Sequence, residues 1–193
     1  MNIALLLYHE VHELDVVSAY SALRAAASSL PEDQLNLFTT AKSRNSVQTS
    51  GGLTITPQWA FMSAPEPDVL IVPGGAGVNA ASRDRALTSY LKDRAERVRL
   101  LVSVSTGAFL LGELGLLRDL RATTWLPLRE RLLDYDVGEV VEARVVKNKR
   151  VWCAGGASAG LDVGLELLRE FYGQEVAARA AERVAYPFWQ AQD

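Results

Sequence analysis

Cysteine is nearly absent from this sequence, histidine is scarce, and no apolar run is long enough to cross a bilayer. The single cysteine, Cys153, excludes an intramolecular disulfide and leads us to expect a reducing, cytoplasmic setting. The two histidines, His9 and His12, share one short segment with Glu10, Glu13 and Asp15. No second cluster supports them, so no metal centre and no cofactor are expected. The apolar stretch from Met1 to Tyr8 falls well short of the ~20 residues of a span. It also lacks a basic leader and a cleavage site, and reads as a strand. A dominant charge is missing too: 20 Lys and Arg against 23 Asp and Glu give a net charge of -3. That balance makes no electrostatic case for nucleic acid or an anionic membrane as partner. Repeats, linkers and low-complexity tracts are also lacking. The 193 residues read as one domain, 1–193, large enough to bury about 70% of the unfolded surface.

What is present is an alternation of strands and helices. Ile3–Tyr8, Asp68–Val72 and the run beginning at Leu100 are apolar, the pattern of strands buried on both faces, and Gln34–Thr39 reads as a further strand. Between them stand helical patterns. The first has Val17, Tyr20, Leu23 and Ala27 as its apolar side and ends before Pro31. Arg83–Arg97 turns Ala86, Leu87, Tyr90, Leu91 and Ala95 inward. Ser43–Gly52 with Leu53–Thr56 reads as a hairpin, Arg121–Thr124 as a short strand, and Leu128–Leu133 as a helix. Val140–Val146 and Arg150–Cys153 read as two arms about a turn at Lys147–Lys149. A strongly apolar helix through Leu161, Val163, Leu165, Leu167 and Leu168 and a final helix from Gln174 to Val184 follow. Trp59, Trp152 and Trp189 read as core or interface, and Arg118, Arg121 and Lys147–Arg150 as solvated faces. The pattern predicts an α/β fold, a mainly parallel sheet with helices on both faces.

The sharpest feature is Val102-Ser103-Val104-Ser105-Thr106-Gly107-Ala108-Phe109, where a buried strand turns within two residues into a helix. Such an elbow pushes its apex, Ser105, out of the sheet and sets it beside the unpaired N–H groups that open the helix. Ligands of open α/β sheets bind beyond the carboxyl ends of the strands. Four polar or glycine-rich loops leave such ends: His9–Asp15, Pro73–Gly77, Ser105–Gly107 and Ala154–Gly160. Together they predict one shared pocket.

The order of Val72-Pro73-Gly74-Gly75, Val104-Ser105-Thr106-Gly107-Ala108-Phe109-Leu110-Leu111, Gly115-Leu116-Leu117, Arg121-Ala122-Thr123-Thr124 and Gly155-Gly156-Ala157-Ser158-Ala159-Gly160-Leu161-Asp162 resembles the DJ-1/PfpI superfamily. With Leu14-Asp15, the chain is most similar to the branch of isonitrile hydratases and AraC-type regulator domains. The resemblance implies a flavodoxin-like sandwich, related to class I glutamine amidotransferases, and a homodimer. It also implies a nucleophile position at Ser105, a carboxylate partner at Asp15 as general acid/base, and Thr106 beside the nucleophile. Backbone N–H groups of Gly75 and Thr106 would then bind an oxyanion. Gly74, Gly75 and Trp125 would contact a small substrate, an isonitrile or another small apolar or carbonyl compound.

The chain departs from the family where it matters most. The elbow residue is normally cysteine, and here it is Ser105, natural or introduced. Proton transfer from a free thiol (pKa about 8.5) to a carboxylate (about 3.9) is uphill by roughly 6 kcal/mol, a gap that a donor-rich helix start narrows. For an alcohol near ~15.7 the gap is on the order of 16 kcal/mol. A serine therefore usually works with an imidazole, yet no histidine follows His12, and Trp125 stands where relatives often place one. His9 and His12 lie in the loop after the first strand, at the edge that carries the site, so one of them could reach Ser105, although solvent-exposed loop residues are the simpler reading; Cys153 reads as a small buried side chain. Two functions stand open. One is an isonitrile hydratase-like enzyme that makes an N-substituted formamide. The other is a non-catalytic small-molecule binding module. A cysteine-type amidase or deglycase homologue has the weakest residue support.

Overall fold

The computed structural model of the chain describes residues 1–31 and 33–189. In chain order the elements begin with β1 (Asn2–Leu6), α1 (Glu13–Ala25) and β2 (Asn36–Ala41). Three short strands follow, β3 (Val47–Gln48), β4 (Thr54–Ile55) and β5 (Trp59–Ala60), and then β6 (Val69–Val72), α2 (Val78–Ala81) and α3 (Arg85–Arg97). β7 (Leu100–Val104), α4 (Gly107–Glu113), β8 (Arg121–Ala122), a 3-10 helix (Leu126–Tyr135) and β9 (Glu139–Val140) come next. β10 (Val145–Lys147), β11 (Val151–Ala154), α5 (Ala159–Tyr172) and α6 (Gln174–Arg183) complete the described chain.

Seven strands form the central sheet in the order β10-β11-β7-β6-β1-β2-β5. Neighbours run parallel except for β10 and β11. Ile3, Ala4, Leu5 and Leu6 of the middle strand are fully enclosed, as an unalternating apolar run requires. From β1 the chain crosses to β2 on one side through α1; from β6 it crosses to β7 on the other side through α3. The right-handed rule for such crossovers assigns α1 and α3 to opposite faces, and α5 and α6 pack with α1. The reversal of strand order between β1 and β6 opens a crevice at their carboxyl ends. The mostly parallel, doubly covered sheet is the architecture expected from the sequence.

The differences have local causes. The buried side of α1 is Val16, Ala19, Ala22 and Leu23, whereas Val17 is 47% exposed and Ala27 is exposed. The helix is turned to set its smallest side chains against α5. A Cβ on Gly164 would lie 2.7 Å from the Ala22 Cβ and 3.1 Å from the Ala19 carbonyl oxygen. β5 extends the sheet edge through only two pairs with β2, too short to show a period in sequence. β8 pairs with β9 in a separate two-stranded sheet, which splits Val140–Val146 between β9 and β10. The helix expected at Leu128–Leu133 is a 3-10 helix with Pro127 in its first turn. Arg150 does not face solvent freely: its guanidinium donates to the carbonyls of Ala95, Glu96 and Val98 at the end of α3. Among the described residues no helix is long and apolar enough to cross a membrane.

Candidate active site

Parallel strands deliver their following loops to one edge, and the crevice between β1 and β6 gathers them. A cavity of about 430 Å³ there is lined by His12 and Asp15 after β1, Gly75 and Ala76 after β6, Ser105 and Thr106 after β7, and Ala157 after β11. Trp125 and Leu128 form an apolar wall, and Ser50 of the β3–β4 hairpin closes the rim. All four loops singled out in the sequence reach this cavity.

Ser105 is the apex of the elbow. Its φ of 55° lies in the left-handed region, which is costly for a residue with a Cβ. The bend persists because it is tied on both sides. The Ser105 N–H donates to the Ala154 carbonyl at 2.9 Å, and the Ser105 carbonyl accepts from Thr124 Oγ1 at 2.6 Å. Ser105 is only 8% exposed, and its Oγ makes no hydrogen bond with a described residue. The hydroxyl is thus held at the cavity without a base in contact.

Asp15 enters from the first turn of α1, with an exposure of 1%. Oδ2 accepts from the Gly74 N–H at 2.8 Å, and Oδ1 lies 2.9 Å from His12 Nδ1. Burial pushes its carboxyl up to about 6, against the opposing pull of the Gly74 N–H and of His12. Near neutral pH the group can therefore carry a proton, the state a general acid needs. Behind it, Tyr8 donates to the Pro73 carbonyl at 2.7 Å. Burial first, then the Asp15 charge, keeps its phenol well above the usual range.

The close packing of these loops depends on Gly74. A Cβ there would lie 2.3 Å from Thr106 Oγ1, 2.6 Å from the Thr106 nitrogen and 2.8 Å from Asp15 Oδ2. The expected pair of oxyanion donors is altered: the Gly75 N–H is taken by Thr106 Oγ1 at 3.0 Å. The Thr106 N–H has no acceptor among the described residues and remains the donor available to a ligand.

Two features of the site, the place of His12 and that of Ser50, go beyond the sequence reading. His12 is not a free surface residue. Its side chain is 40% exposed, it is fixed to Asp15, and it lines the same cavity as Ser105. The i,i+3 spacing of His12 and Asp15 at a helix start was the signal available for it. His9 is exposed and lies outside this cavity. Ser50 was missed because a hairpin far from the strand ends carries it. Trp125 is 47% exposed and stands between this cavity and a neighbouring one of about 650 Å³, whose wall includes Leu14, Leu126 and Arg144. Cys153 is completely buried in β11, and burial pushes its thiol up, the condition of an inert packing residue. Among the described residues no group of three or more His, Cys, Asp or Glu is placed to hold a metal ion.

Residues 1–170 match the DJ-1/PfpI family. The chain is 34% identical over 187 residues to the isonitrile hydratase of Pseudomonas putida, an alignment covering 96% of this chain and 78% of that protein. It is 26% identical over 186 residues to the HTH-type transcriptional regulator GbdR of Pseudomonas aeruginosa, covering 96% of this chain and 50% of the regulator. The crystal structure of a ThiJ/PfpI family protein from Pseudomonas syringae superimposes with a TM-score of 0.88 at 30% identity, covering 99% of this chain and 77% of that one.

Proposed function

The chain belongs to the DJ-1/PfpI family, and from that premise we propose that its elbow cavity hydrates a small isonitrile to an N-substituted formamide. The observation that carries this reading is the buried Asp15 carboxyl, held near a pKa of about 6 in the same cavity as Ser105. Isonitrile hydration adds water across one carbon, which must gain a proton while an oxygen adds to it. An acid that is partly protonated near neutrality is suited to the first task. The Thr106 N–H is set to bind charge developing on the added oxygen. Gly74 and Gly75 shape the floor, and the apolar wall of Trp125 and Leu128 suits the hydrocarbon group of an isonitrile. Similarity to the Pseudomonas putida hydratase points the same way.

Ser105 occupies the nucleophile position of a pocket whose donors would serve a thiolate better than an alkoxide. The test is formamide production by the chain and by its Ser105→Cys form with an alkyl isonitrile. Activity that rises in the cysteine form supports the reading. A second reading, a binding module, is favoured by one observation: Ser105 Oγ has no base in contact. Inactivity of both forms, with the isonitrile still bound, would establish that second reading and remove the first.

We assign the chain a cytoplasmic homodimer as its working form. The exposed Leu14, Val17, Trp125 and Leu126 support the dimer, because three of them edge one surface cavity and Val17 lies one turn along α1 from Leu14. Sedimentation of a Leu14→Glu, Val17→Glu form as a monomer, beside a dimeric parent, is the expected result.

A further inference from the structure

We propose that His12 is a catalytic residue of this site, the port through which the buried Asp15 gives protons to, and takes them from, the reacting carbon and water. The inference rests on the hydration reading above and deepens it. Both oxygens of Asp15 are already engaged, Oδ2 by the Gly74 N–H and Oδ1 by His12 Nδ1. With an exposure of 1%, the carboxyl has little open surface of its own. His12 is different: Nδ1 faces Asp15, and its half-buried ring lines the cavity with the other edge free to meet a ligand. A proton held by the pair therefore reaches the cavity at His12 Nε2.

The chemistry closes on that one atom. Nε2–H protonates the isonitrile carbon, giving a nitrilium ion, while Asp15 passes its proton to Nδ1 and becomes the carboxylate. Water, oriented by the unengaged Ser105 hydroxyl, adds to the carbon. The proton that the water oxygen must lose goes to Nε2, and the one on Nδ1 returns to Asp15. The imidic acid so formed rearranges to the formamide. One water is consumed, and the pair ends as it began. No alkoxide is needed, which removes the obstacle that a serine in a thiol's place presents.

The other charge acting on the pair is the Glu13 carboxylate, whose repulsion adds to burial in favouring the protonated form of Asp15. Glu13 follows His12 in α1, with its carboxylate accepting from the Gly51 N–H at 3.0 Å, and Tyr8 lies behind Asp15. The cavity walls contributed by the Gly75 loop, the elbow, the β3–β4 hairpin and the 3-10 helix carry no titratable group.

The experiment measures formamide production across pH by the chain, its His12→Gln form, and both in the Ser105→Cys background. Glutamine keeps a hydrogen bond to Asp15 but cannot be protonated. The expected result in the serine background is a loss of kcat of roughly 100-fold or more, with KM little changed. The parent's decline in rate above about pH 6 should vanish with it. In the cysteine background the loss should be smaller, because a thiolate adds without a base. A His12→Gln form with the parent's rate and pH profile would overturn the proposal. Inactivity of the serine and cysteine parents alike would instead remove the hydration reading. The pair is then judged by imidazole 15N spectra at pH 8. A proton resident on Nδ1 that moves to Nε2 in Asp15→Asn is expected, and a tautomer indifferent to that change would overturn the pairing itself.

Discussion

Thr124 Oγ1 donates to the Ser105 carbonyl at 2.6 Å, so a side chain just ahead of the 3-10 helix holds the backbone at the apex of the elbow. Thr124 is itself buried. In Thr124→Val the shape is kept and the donor is lost, leaving the carbonyl short of a partner. The expected cost is about 1–3 kcal/mol of stability, read by urea denaturation, and activity should fall further than stability as the apex loosens.

The apex is also a place where function and stability are opposed. At a φ of 55° glycine is at ease and serine is not. Ser105→Gly is expected to gain up to about 1 kcal/mol of unfolding free energy, whereas Ser105→Ala should gain nothing. Both lose the hydroxyl, so comparing the two by chemical denaturation separates backbone strain from side-chain chemistry.

Asp15 links stability to pH in the direction opposite to an ion-paired carboxylate. Its folded value, about 6, lies above the unfolded value of about 3.9. The folded state therefore binds the proton more tightly, and the associated stability is complete below about pH 4 and lost as pH rises through about 6. The loss across that window is about 3 kcal/mol. In Asp15→Asn this slope should flatten, so the variant gains on the parent at pH 7 and not at pH 4. Thermal melts at the two pH values measure the difference.

Gly164 controls the site from a distance. Its missing side chain lets α5 approach Ala19 and Ala22 of α1, the helix whose first turn carries Asp15. Gly164→Val should push the two helices apart, costing about 1–3 kcal/mol and shifting Asp15 against Ser105. Crystal coordinates of the variant would show the displacement, and an unmoved α1 with parental activity would contradict it.

The elements that could be read in the sequence are those whose burial is complete and local. β6 and β7 announce themselves because a parallel strand covered on both faces has no polar alternation, and the glycines after them mark loops of close approach. The elbow was legible for the same reason, since Val104-Ser105-Thr106-Gly107 places strand and helix signals side by side. Other features depend on partners distant in sequence. The face of α1 was misjudged because hydrophobicity favours Val17 inward, while the glycines of α5 select Ala19 and Ala22. For His12 the i,i+3 spacing to Asp15 hints at a pair, but nothing local reveals that Asp15 is buried beneath Gly74, which decides that the ring lines the cavity and does not stand in solvent. The 3-10 form of Leu126–Tyr135 and the two-residue β5 carry too little periodicity to be distinguished from a helix or a loop.

The reversal of strand order between β1 and β6, which creates the crevice, has a consequence for how the protein is made. Ile3 pairs with Leu37 on one side and with Val69 on the other, so the middle strand is completed by segments synthesised well after it. Until Val69–Val72 arrives, a wholly apolar strand keeps one row of amides and carbonyls open to any other extended chain. The architecture that concentrates four distant loops into one cavity thus leaves its middle strand half-paired until β6 has been made.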